Sequence, residues 1–64
     1  MKVRDVIKQL QTDGWYIVRI SGSHRQFKHG AKTGLVTVSG KLSDDVPLGT
    51  LNNIWKQAGL RGKP

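Results

Sequence analysis

The apolar residues of this chain change their spacing twice, and the two changes leave few folds open. Val3, Val6, Ile7 and Leu10 recur at i, i+3, i+4 and i+7, with Arg4, Asp5, Lys8 and Gln9 between them. That spacing lays one apolar stripe along a helix and predicts one over residues 3–12, with Gly14 as its stop. Five of the six residues from Trp15 to Ile20 are aromatic or β-branched, which predicts a strand. Ser21 and Gly22 turn the chain, residues 24–29 make a second strand, and a glycine-containing loop runs to Gly34. Residues 35–39 set Leu, Thr and Ser against two Val and make a third strand. Helical spacing then returns in Leu51, Ile54, Trp55 and Ala58.

The second helix is predicted to carry Pro47 in its first turn and to have Asp44 and Asp45 beside its positive N-terminal end. Gly59 followed by Leu60 fits a Schellman stop in which Leu60 packs back toward Trp55. The order is thus α-β-β-β-α, an α+β fold with a three-stranded antiparallel sheet, both helices on one face and the other face open. This is the layout of double-stranded-RNA-binding domains, a likeness of topology that carries no activity with it.

Length and charge narrow the classes of function. The chain of 64 residues reads as one domain over 1–64, with a basic tail within 59–64. A domain of this size buries only about 60% of the surface its unfolded chain exposes. It has no cysteine, so disulfide staples and thiolate metal sites are excluded, and a partner protein is a natural source of added stability. Eleven Lys and Arg face four Asp and no Glu, a net charge of +7 spread from Lys2 to Lys63. Such a surface suits a polyanion, either nucleic acid or an acidic protein. No apolar run approaches the ~20 residues of a membrane span, and no signal peptide is evident at the start. The expected compartment is the cytoplasm.

Strand alternation selects the candidate site. If Phe27 points to the core, His24, three residues away, points to the open face, with Gln26 and Lys28 beside it. The same parity sends Arg25 and His29 to the helix side. Of Trp15 and Tyr16, one faces the core and the other the open side. Trp55 reads as core packing, since it lies on the apolar stripe of its helix.

Histidine is the side chain that ordinarily changes charge near neutral pH, so His24 can take or give a proton. RNA cleavage needs a base for the ribose 2′-OH, an acid for the departing 5′ oxygen and cations for the charge developing at phosphorus. Gly22 lets backbone approach a phosphate, Ser23 offers it a hydrogen bond, and Arg25 and Lys28 are candidate phosphate contacts. The bland alternatives are a bystander histidine, a Gly22–Ser23 pair that only makes a hairpin turn, and a structural His29. No pair among His24, His29 and the aspartates has a recognised metal-ligand spacing, so no metal is expected.

The residues from Asp13 to His29, including Gly14, Trp15, Gly22, Ser23, His24, Gln26, Phe27, Lys28 and His29, resemble the HicA toxin family. Val36, Thr37, Val38, Pro47, Gly49, Thr50, Leu51 and Ile54 extend the likeness, as does the closing Lys56, Gln57, Ala58, Gly59 and Leu60. Leu48 departs from it, standing where relatives carry a second proline. The resemblance implies the fold derived above, mRNA cleavage without a required cofactor, His24 as the catalytic residue and a HicB-type antitoxin as partner. Two competitors remain: a non-catalytic RNA-binding module of the same fold, and a protein-interaction domain with an acidic partner.

Overall fold

A computed structural model of the chain describes residues 1–60. Its elements follow the expected order: α1 (Val3–Thr12), β1 (Trp15–Ser21), β2 (His24–His29), β3 (Val36–Ser39) and α2 (Leu48–Ala58). The three strands form one antiparallel sheet in the order β1-β2-β3. Of the expected basic tail at 59–64, residues 61–64 lie outside the described residues.

The core gathers the stripes that spacing picked out. Val3, Val6 and Leu10 come from α1 and Leu51, Ile54, Trp55 and Ala58 from α2. The sheet adds Trp15, Phe27, Val36 and Val38, and Val46 enters from the connection before α2. Ile7 and Leu60 pack on the rim. Trp15 is 1% exposed and Tyr16 52%, which settles the choice between them: the indole fills the core and the phenol faces out.

Each helix end has an identifiable cause. At the start of α1, no side chain caps the free N–H groups. Val3 donates instead to the carbonyl of Asp44 at 2.9 Å and Arg4 to that of Leu42 at 3.2 Å, so the connection before α2 does the work of a cap. α2 ends in the anticipated Schellman motif. Gly59 takes φ +70, its N–H donates to the Lys56 carbonyl at 3.3 Å, and Leu60 donates to Trp55 at 2.8 Å. Gly59 and Leu60 therefore belong to the cap, and the tail does not begin at 59.

Two expectations at the start of α2 are overturned. Pro47 does not occupy its first turn; with φ −56 and ψ 145 it is the extended residue flanking the helix. Asp44 and Asp45 serve α1. The Asp44 carboxylate accepts from the Lys41 N–H at 3.0 Å, while Asp45 lies 3.4 Å from the Lys2 ammonium and forms an isolated bridge with that residue. The first turn of α2 carries no acid, and the segment before Pro47 pairs instead with residues 1–3. Leu35, expected in the third strand, falls outside it, since Phe27↔Val36 is the last pair of that ladder.

Candidate nucleic-acid interface

Two structural choices build the open face: a tight hairpin and a bulge. Ser21 pairs with His24 across the two-residue turn Gly22–Ser23. Gly22 has φ +60, and among the described residues no non-glycine has positive φ. A positive φ at the first turn position alone is the type II′ pattern, which matches the twist of the strands it joins. Gly22 and Ser23 thus have a structural task that accounts for both residue types. They place His24 at the first position of β2, beside the turn.

The bulge is what sequence parity missed. Ile17 opposes Phe27, yet Arg19 opposes Gln26, so Val18 is an extra residue in β1. Strict alternation from Trp15 would turn Arg19 and Ser21 toward the helices. The extra residue flips them outward, onto the face of His24 and Gln26. Three cross-strand rows result: Ser21, His24 and Ser39; Arg19, Gln26 and Thr37; Tyr16 and Lys28. Arg19, Ser21, His24, Gln26 and Thr37 line an open depression of about 450 Å³. A signal for this was present, since Arg19 sits at core parity directly after two apolar residues, an arrangement a regular strand would avoid.

The expected site residues divide accordingly. His24, Gln26 and Lys28 share the open face, as parity indicated. Arg25 points the other way, and its guanidinium donates to the carbonyls of Gly40 at 2.9 Å and Ser23 at 3.2 Å. It braces the turn against the end of β3 and is not free on the His24 side. Gly22 and Ser23 lie at the end of the face and not in the depression.

His29 is held on the helix side, where it locks three elements. Its Nδ1 accepts from the Ala31 N–H at 2.9 Å, so Nε2 carries the proton and donates to the Asp13 carbonyl at 2.6 Å. The ring meets Trp15 edge-on with centroids 5.3 Å apart. Nearby, the Lys32 ammonium contacts the Asp13 carboxylate at 2.6 Å and the Ala58 carbonyl at 2.9 Å. One cation thereby joins the C-terminal ends of both helices, where positive charge is favoured. The hydrogen bond from Lys32, with the charge of its ammonium adding to it, lowers the Asp13 pKa from its ordinary 3.8 against an opposing effect of burial.

Electrostatics favours an anion on the open face. Asp5 and Asp13 belong to α1 and its end, and Asp44 and Asp45 to the connection. None of the four acids lies among the three rows, which carry Arg19 and Lys28. Among the described residues no three His or Asp side chains converge on a point that could hold a metal ion.

A family model described as HicA toxin of bacterial toxin-antitoxin matches residues 3–60. The chain belongs to the HicA toxin family. The match runs from the first residue of α1 to the cap of α2, so hairpin, bulge and open face all fall within it. A toxin of a toxin–antitoxin pair implies an antitoxin as partner. No curated protein matches the chain. No described helix is long and apolar enough to cross a membrane.

Proposed function

We propose that this HicA-family toxin is an mRNA endoribonuclease that acts in the cytoplasm, with His24 as its general acid or base. The observation that carries the reading is the composition of one face: a histidine at a strand end, two cations, five further side-chain hydrogen-bonding groups and no carboxylate. Cleavage proceeds by attack of the ribose 2′-oxygen on the adjacent phosphorus, as the bond to the 5′ oxygen breaks. His24 takes the 2′-OH proton or delivers one to the leaving 5′ oxygen. Arg19 offsets the charge that builds on the scissile phosphate's oxygens, Gln26 donates its amide hydrogens to them, and Lys28 contacts RNA phosphate on the same face. Arg25 supports the turn that carries His24, and Gly22 and Ser23 set its position.

The inhibitor in this reading is a HicB-type antitoxin with an acidic contact surface laid over the open face. Charge complementarity of that kind speeds association and excludes RNA in the same step. Burial against the partner adds stability that a core of this size lacks.

One observation favours the alternative of a non-cutting RNA-binding module. A two-histidine acid and base scheme is not available, since His29 is engaged with Asp13 and Ala31 on the far side of the sheet. The deciding experiment is cleavage of a labelled mRNA in EDTA by the wild-type chain and by His24→Ala, the latter shown to be folded by circular dichroism. Cutting by the wild type and not by the variant is expected. RNA binding by both without cutting establishes the alternative, and cutting by both removes His24 from the chemistry.

A further inference from the structure

Beyond His24, the bulge in β1 brings further side chains onto the same face. It aligns Arg19 and Tyr16 with His24 along one line of the sheet. Arg19 is diagonal to His24 across the β1–β2 pair, a relation of ~7–8 Å that a long side chain spans. Tyr16 lies in the next row, 52% exposed and directly opposite Lys28. An exposed aromatic face beside a cation, on a surface free of carboxylates, has the two parts of a nucleotide subsite: a plane for the base and a charge for its phosphate.

We propose that this face is a track for single-stranded RNA, with the scissile phosphate held between His24 and Arg19, the adjoining base stacked on Tyr16 and that nucleotide's phosphate gripped by Lys28. The proposal rests on the RNA-cleaving reading and adds to it the residues that hold the substrate. A base inside a duplex is covered by its neighbours and cannot offer its face to Tyr16, so the subsite takes an unpaired base. Val18 is the device that makes the track. Without the extra residue, Arg19 and Tyr16 would lie on opposite faces of the sheet.

The test measures binding, so that it does not depend on cutting. The parent is His24→Ala, and the probes are a fluorescent eight-nucleotide single-stranded RNA and a duplex containing the same sequence, followed by anisotropy. Adding Tyr16→Leu is expected to weaken single-strand binding about fivefold or more, the lower end of a base-stacking contribution, while Tyr16→Phe keeps it. The Tyr16→Leu change should leave duplex binding unaltered. Adding Arg19→Ala is expected to reduce the slope of log affinity against log salt by about 1, and Arg19→Lys to preserve it. Equal single-strand affinity of the Tyr16→Leu and parent chains, an equal loss on the duplex, an unchanged salt slope in Arg19→Ala, or no single-strand binding by the parent overturns the track. If His24→Ala still cuts mRNA, the catalytic role falls while these binding results continue to judge the track.

Discussion

Replacing Gly14 by alanine should be among the most damaging single-methyl additions this protein can receive, and the reason is a contact as well as a dihedral angle. Gly14 has φ +104, in a region where a side chain costs ~1–2 kcal/mol. Its added Cβ would also lie 2.7 Å from Nε2 of His29. That atom is fixed by its hydrogen bond to the Asp13 carbonyl, so the ring must move and lose a bond worth about 1 kcal/mol. Restricting the unfolded chain returns ~0.4–1 kcal/mol. The net cost is about 2 kcal/mol. Gly22 is the internal control: its φ is +60, yet a Cβ there meets nothing within 4 Å. Gly22→Ala should therefore cost only about 1 kcal/mol. At ~4–8 °C per kcal/mol for a domain near this size, thermal melts followed by circular dichroism separate the two variants readily. A His29→Ala background removes the clash, so the cost of Gly14→Ala there should fall toward that of Gly22→Ala. Equal costs at the two glycines, or an undiminished cost without His29, would refute the reasoning.

Other consequences can be checked independently. Because Lys32 lowers the pKa of Asp13 below 3.8 in the folded state, the pair's contribution to stability is present above that value and is lost as pH falls through the folded pKa. Urea midpoints from pH 6 down to pH 2.5 should thus drop less steeply in Lys32→Met than in the wild type, and identical slopes would show that the pair contributes nothing. Phe27, fully buried between the two edge strands, should cost about 3–5 kcal/mol when changed to alanine, leaving a largely unfolded chain by circular dichroism. Trp55 Nε1 is buried without a hydrogen-bond partner, so Trp55→Phe loses packing but no bond and should be much milder than Trp55→Ala in a denaturant titration. His29→Ala should lower the melting temperature while leaving the cleavage rate per folded molecule unchanged, and a selective loss of rate would place His29 in the chemistry.

The fold was legible because the two helical stripes and the β-branched run are strong, local signals. Phe27 gave the parity of β2, and from it the outward placement of His24, Gln26 and Lys28 and the inward placement of Arg25 and His29. Three things were hidden, each for a non-local reason. The bulge at Val18 depends on how β1 registers against β2, which alternation within one strand does not encode, and with it Arg19 and Ser21 were missed as neighbours of His24. Asp44 and Asp45 carried a plausible helix-start signal, but the chain ends of α1 and the connection compete for them and win through backbone pairing at residues 1–3. Arg25 looked free because its carbonyl acceptors, on Ser23 and Gly40, come together only when the turn meets the end of β3.

The most direct test of the central claim, that His24 serves a cleavage in which the RNA's own 2′-oxygen is the nucleophile, is the chemistry of the fragment ends. Digestion of a defined single-stranded RNA in EDTA, followed by mass spectrometry of the products, should give an upstream fragment ending in a 2′,3′-cyclic phosphate or its opened 3′-phosphate. The downstream fragment should begin with a 5′-hydroxyl, and neither should form with folded His24→Ala. Fragments ending in a 3′-hydroxyl and beginning with a 5′-phosphate would mean that water attacks phosphorus from elsewhere, and the account of this face would be wrong.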